Sequence, residues 1–180
     1  MLLTKYRAKM IAKLYKPYLA SGVDVLDIGC GNGEVSDYFL NKFEIKLVGT
    51  DIDQYLKKKI EFKKMTDLEK LPFPDKQFKV AMFNDVLHHT ECIEKLIAES
   101  LRVAETVLIF EMQGNFWARL IDKGINWFHR PQMPVPLNFK NKKQWNELLT
   151  KLNCNYKVEA VKKPFIGYPL EHLFIVVNSK

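Results

Sequence analysis

Val23-Asp24-Val25-Leu26-Asp27-Ile28-Gly29-Cys30-Gly31-Asn32-Gly33 is the stretch on which the fold turns. Residues 23–28 read as a buried strand, and glycines then stand at alternate positions, 29, 31 and 33. Those glycines let the chain turn tightly and bring its backbone close to a ligand. Residues 34–43 follow with Val35, Tyr38 and Phe39 at helical spacing. The free amides at the start of such a helix suit a polar or anionic group. The spacing is GxGxG and not GxGxxG, and Glu34 opens the helix. A carboxylate there repels a pyrophosphate, so the turn is expected to serve a ligand less anionic than a dinucleotide. The competing reading is a glycine turn that is purely structural.

Working outward, residues 46–51 form a second strand ending in Asp51, 18 residues after Gly33. In doubly wound folds an acid at that place accepts hydrogen bonds from both ribose hydroxyls. Residues 54–58 allow a short helical stretch, 60–66 a third strand, and 67–79 a loop containing Pro72 and Pro74. A fourth strand at 78–84, a helix at 91–103 and a fifth strand at 106–111 follow. Residues 114–139 lose periodicity and hold Trp117, Trp127, Phe128, Pro131, Pro134 and Pro136. A helix at 141–152 and strands at 156–161 and 172–177 close the chain. Ahead of it all, 5–16 reads as a helix with Tyr6, Met10, Ile11, Leu14 and Tyr15 on one side and lysines on the other. Strands alternating with helices predict an α/β fold: a Rossmann-like, doubly wound, mainly parallel seven-stranded sheet with helices on both faces.

The 180 residues suffice for one domain with a sizeable core. Cys30, Cys92 and Cys154 are odd in number, widely spaced and without a CxxC, which excludes a disulfide framework and a zinc ribbon and fits a reducing compartment. No targeting segment and no apolar run near ~20 residues is expected, so the protein reads as soluble and cytoplasmic, with no membrane partner. The net charge of +7 is uneven. Residues 1–20 carry five cations and no acid, 139–163 carry seven lysines against Glu147 and Glu159, and 21–138 hold 15 bases against 18 acids. Solvated helix faces account for the basic ends, and nucleic acid is a partner only if the two ends meet.

The runs DIGCGNG, GTDID and MTDLEKLPFPDKQFKVAMFNDVLHH, within residues 23–111, resemble the class I S-adenosylmethionine-dependent methyltransferases. More narrowly they resemble the small-molecule branch, which carries D-x-x-x-LPF-x-D-x-x-F before an LHH. The resemblance implies S-adenosyl-L-methionine as cofactor, with Asp27, Gly29, Cys30, Gly31 and Gly33 around its methionine and sugar portions. It implies Asp51 on the ribose, Ile52 against the adenine, Asp67 accepting from the adenine amino group, and Thr66 and Leu68 adding backbone contacts. Asn84 would lie near the methionine amino acid, with His89 bordering the same pocket. The family's Lys-Pro-Gly-Gly turn before strand five is absent; Arg102-Val103 passes almost directly into Ala104-Glu105-Thr106.

An activated methyl needs mainly an aligned acceptor, so no metal or covalent nucleophile is expected and no catalytic residue is assigned. If the acceptor must lose a proton, His88, His89 and Glu111 are the candidate bases, because they sit near the carboxyl ends of strands four and five. The alternative is that both histidines pack the loop or touch the cofactor. Asp75 and Phe78 read as loop capping and core, Trp145 as core, and His129 and His172 as incidental. Phe139 and the tryptophans line either an acceptor pocket or a lid packed on the sheet. The expected layout is one domain over 1–180. It comprises an N-terminal helix at 1–20, a cofactor core at 23–111, an acceptor lid at 112–140, and a helix with closing strands at 141–180. The favoured function is methyl transfer to a small molecule. The alternatives are an RNA (tRNA) methyltransferase using the basic ends, a catalytically silent cofactor-binding domain and, least favoured, a nicotinamide oxidoreductase. The acceptor, the methylated atom and the oligomeric state are left open.

Overall fold

The computed structural model describes residues 2–67, 69–114, 138–163 and 170–179. Helix α1 (Leu2–Tyr15) leads through a 3-10 turn (Lys16–Tyr18) to β1 (Asp24–Ile28), α2 (Glu34–Lys42), β2 (Lys46–Asp51) and β3 (Glu61–Lys64). Then come β4 (Phe78–Asn84), a 3-10 turn (Leu87–His89), α3 (Ile93–Val103), β5 (Ala104–Met112), α4 (Lys142–Lys151), β6 (Asn155–Ala160) and β7 (His172–Asn178). The seven strands form one sheet in the order β3-β2-β1-β4-β5-β7-β6. β3 through β5 run parallel, while β7 is antiparallel to both β5 and β6. This is the expected doubly wound α/β fold. Its chain order reverses between β1 and β4, the crevice where such sheets bind ligands.

Alternation along the strands sorts the core into two faces. Val25, Val80, Met82, Leu108, Phe110, Phe174 and Val176 meet α1 and α2. Leu26, Ile28, Ala81, Phe83, Val107, Ile109, Leu173, Ile175 and Val177 meet α3 and α4. Helix α3 buries Ile93, Leu96, Ile97, Ser100 and Val103, a 3.6-residue stripe. A reciprocal capping box between Asn141 and Gln144 starts α4, which buries Trp145, Leu148 and Leu149. Trp145 and Phe78 are thus core, as expected, while exposed Asp75 accepts from Arg102 at 2.6 Å.

Three sequence expectations are corrected. Residues 54–58 form bends and no helix, so the β2–β3 crossover leaves the β3 edge thinly covered. The inward stripe of α1 is Ala8, Ile11, Ala12 and Tyr15, whereas Tyr6 is exposed. α3 passes into β5 with no intervening residue, so β5 begins at Ala104, two residues before the expected start at 106. The exposed lysines of α1 (Lys9, Lys13) and those of α4 (Lys142, Lys143, Lys151) ride on helices covering opposite faces of the sheet. Residues 115–137, which include Trp117, Trp127, Phe128 and His129, lie outside the described residues, as does Leu68. No described helix is long and apolar enough to cross a membrane.

Candidate functional site

The glycine turn is built by three left-handed residues: Gly29, Gly31 and Gly33 have φ of 71°, 53° and 78°. Each plays a different part. A Cβ on Gly29 would lie 2.5 Å from Val86 Cγ1, so this glycine admits the loop that leaves β4. A Cβ on Gly33 would crowd Leu56 and Lys58, whereas one on Gly31 would meet nothing within 4 Å. Gly31 therefore faces open space, the side on which a ligand could reach the backbone. The helix behind the turn carries Glu34 and Asp37 in its first turn, an acidic start that does not suit phosphate.

Asp51 ends β2 with its carboxylate fixed from two sides. Oδ2 accepts from the Gly31 amide at 2.9 Å and Oδ1 from the Ile52 amide at 2.8 Å. A carboxylate oxygen carries two lone pairs and can accept more than one hydrogen bond, the capacity that vicinal hydroxyls require. Beyond it lies a cavity of about 450 Å³ lined by Ile52, Lys64, Met65, Thr66 and Asp67. The structure thus brings Ile52, Thr66 and Asp67 together next to Asp51. Asp67 Oδ1 also accepts from the Glu69 amide at 2.7 Å, which sets its orientation.

Between the turn and β4 lies an incomplete polar group. Asp27, 2% exposed, accepts from Ser36 Oγ at 2.5 Å and from Asn84 Nδ2 at 3.3 Å. Burial pushes its carboxyl up to about 6, against the pull of those two hydrogen bonds and of the more distant Arg7. Asn84 Oδ1 is buried and, among the described residues, without a hydrogen-bond partner. An acceptor left bare beside a carboxylate that has only neutral direct donors is a place for a cation. Cys30 is buried, and burial pushes its thiol up, so it stays protonated.

One residue on, the polar groups are closed. Asp85 stands in the left-handed region at φ 56°, a conformation costing about 1–3 kcal/mol unless its surroundings hold it. Its Oδ2 accepts from Arg7 Nε at 2.8 Å, its Oδ1 from the Met112 amide at 3.1 Å, and His172 Nε2 lies 3.7 Å away. Burial would raise this carboxyl, but Arg7 and His172 hold it well below the usual range. His172, given no role by the sequence, is buried with its ring stacked on Phe110. On the other face, Glu111 Oε1 accepts from the Val86 and Leu87 amides, both at 2.6 Å, and Oε2 meets His88 Nδ1 at 2.7 Å. His88 is 2% exposed and stacks on Phe139 at 4.5 Å. Two acid–histidine pairs therefore grip residues 85–88, one from each face of the sheet. Of the candidate bases, Glu111 is engaged in holding this loop, and His89 is half-buried with its ring 3.9 Å from that of His88. Sequence reasoning missed Arg7, Ser36 and Asp85. Arg7 had been counted among solvated charges, and no local pattern links a helix at residue 7 to a turn at residue 85.

Residues 26–106 match the model of a family described as a methyltransferase domain. That stretch runs from β1 into β5, the parallel part of the sheet that carries the glycine turn and Asp51. The chain is similar over 98% of its length to 99% of the YcgJ protein of Bacillus subtilis, with a TM-score of 0.70 and 15% identity. It is similar over 95% of its length to phosphoethanolamine N-methyltransferase 2 of Haemonchus contortus, solved with S-adenosyl-L-methionine (TM-score 0.70, 15% identity); it spans 52% of that chain. A geranyl diphosphate C-methyltransferase of Streptomyces coelicolor A3(2), solved with S-adenosyl-L-homocysteine, is matched over 96% of this chain and 76% of that chain (TM-score 0.68, 10% identity). At such identities these likenesses establish the fold. No curated protein sequence matches the chain.

Proposed function

We propose that this chain is a methyltransferase that binds S-adenosylmethionine in the crevice between β1 and β4 and moves its methyl group to a small-molecule acceptor. The observation that carries the reading is the bare Asn84 Oδ1 beside Asp27, whose raised carboxyl is relieved by an ammonium such as that of the methionine end. The remaining residues fit the other parts. Gly31 leaves its backbone open, with Gly29, Cys30 and Gly33 shaping the turn. Asp51 is set to accept from the ribose. Ile52, Thr66 and Asp67 line the cavity of a size for adenine, with Leu68 assigned on the resemblance alone. His89 is assigned to the rim on the resemblance alone as well.

When bound, the cofactor supplies a methyl already activated on a sulfonium. The chain's contribution is then to orient and to exclude water. Glu111 fixes loop 86–88 and sets the His88 tautomer with hydrogen on Nδ1, leaving Nε2 as the basic nitrogen if the acceptor must lose a proton. A small-molecule acceptor is favoured over RNA because α1 and α4 present their exposed lysines on opposite sides of the sheet. Residues 112–140 and α1 are read as shaping the acceptor site, within one domain that spans the chain.

Calorimetry with S-adenosylhomocysteine tests the site. Asp51→Ala is expected to weaken binding by about 100-fold or more, the value of two hydrogen bonds to a charged group at about 1.5 kcal/mol or more each. Unchanged affinity would remove the ribose assignment. Incubation of a cell extract with isotope-labelled cofactor, followed by mass spectrometry, is expected to show label in a small molecule; label in RNA alone would reverse the acceptor assignment.

A further inference from the structure

We propose that Arg7 is a positioning residue for the cofactor site: one guanidinium holds the Asn84 carbonyl and the Asp85 carboxylate, and thereby sets the Asn84 side chain against Asp27. The proposal rests on the S-adenosylmethionine reading of the site and goes beyond it, since Arg7 lies on α1 and belongs to none of the motifs.

Arg7 Nη2 donates to the Asn84 carbonyl at 2.7 Å while Nε donates to Asp85 Oδ2 at 2.8 Å. The carbonyl it holds is the point where the chain leaves β4. The next residue takes the left-handed turn, so the peptide plane there is fixed on both sides. The side chain of Asn84 departs from the same residue and donates to Asp27 at 3.3 Å. Val86, just beyond, packs where a Cβ of Gly29 would be, which makes the β4 exit and the glycine turn one packed unit. A planar fork presents Nε and Nη2 in fixed geometry to carboxylate and carbonyl at once, and loses less freedom per hydrogen bond than an ammonium on a flexible stem.

Docking of α1 does not need this contact. Ala8, Ile11, Ala12 and Tyr15 bury the helix in the core, and Tyr15 Oη donates to the Phe83 carbonyl at 3.2 Å. Arg7 is thus surplus to holding the helix and placed to hold the site.

The test compares two ligands on the full chain by calorimetry: S-adenosylhomocysteine, and 5′-methylthioadenosine, which lacks the amino-acid end. Arg7→Met keeps the apolar stem and removes the fork. It is expected to weaken S-adenosylhomocysteine about tenfold and to leave methylthioadenosine within about twofold. Arg7→Lys, with one contact restored, should fall between. In an Asn84→Ala background the Arg7→Met change should add little, because both act through one amide. If Arg7→Met unfolds, Arg7→Met/Asp85→Asn, which leaves no unpaired buried charge, replaces it in the same comparison. Equal losses for both ligands, no loss for either, or full additivity with Asn84→Ala would overturn the proposal. Wild-type protein that binds neither ligand would overturn the site reading and this proposal with it, whereas wild-type binding with unshifted variants overturns this proposal alone.

Discussion

Asn84 and Asp85 are neighbours in the chain and opposites in their surroundings. On the Asn84 side, Asp27 has only a hydroxyl and an amide as direct donors, its carboxyl is pushed up to about 6, and Asn84 Oδ1 is left bare. On the Asp85 side, an arginine, a histidine and a backbone amide surround one carboxylate and hold it low. The first group lacks a cation and the second already has one. A buried polar group that is complete holds the fold, and one that is incomplete costs stability until a ligand completes it.

The largest expected effect breaks the completed side. Asp85→Ala strands Arg7 and the Met112 amide, and by urea unfolding at pH 7 it should cost about 3–5 kcal/mol. A loss below about 1 kcal/mol would show that the pair is solvated and the contrast false.

The next sharpens the incomplete side. Well below pH 3.8 Asp27 is neutral in folded and unfolded chains alike. Between its ordinary value of 3.8 and about 6 only the unfolded chain has released the proton. Stability therefore falls as pH rises through that window, by about 3 kcal/mol in all. Ligand-free wild type should lose most of this, about 2 kcal/mol, relative to Asp27→Asn between pH 4 and pH 7, and S-adenosylhomocysteine should shrink the difference. Parallel pH profiles would mean that Asp27 is already compensated. Asp85 contributes with the opposite sign and in a lower window, since its depressed carboxyl loses stability only as pH falls below the ordinary aspartate range.

The smallest effect concerns the turn facing Asp27. Gly31→Ala meets no neighbour, so its cost is that of a left-handed alanine, about 1–2 kcal/mol by thermal unfolding. Its fall in S-adenosylhomocysteine affinity should exceed what that strain explains, because the new methyl points into the open side. Unchanged affinity would place the ligand elsewhere.

Much of this was legible in the chain. DIGCGNG predicts strand, turn and helix because only alternating glycines allow successive left-handed residues there, and the structure has them at 29, 31 and 33. Asp51 at the end of β2 follows from strand length and spacing. The short crossover after β2 was misread as helical because 54–58 contain no glycine or proline to forbid it; its residues pack instead against Gly33. Tyr6 fits the apolar repeat of α1 but is exposed, and among the described side chains the buried stripe is Ala8, Ile11, Ala12 and Tyr15.

By itself, then, the sequence determined what local sterics and periodicity control: the strand–turn–helix units, their alternation, and the acid that ends β2. Only the tertiary structure decided which charges are spent and which are waiting. Arg7 and Asp85 are 78 residues apart, and Glu111 reaches back over 23 residues to His88. Those pairings are set by how the sheet is ordered and by which face each helix covers. The energy of a charge depends on what else is buried beside it, and no local pattern records that.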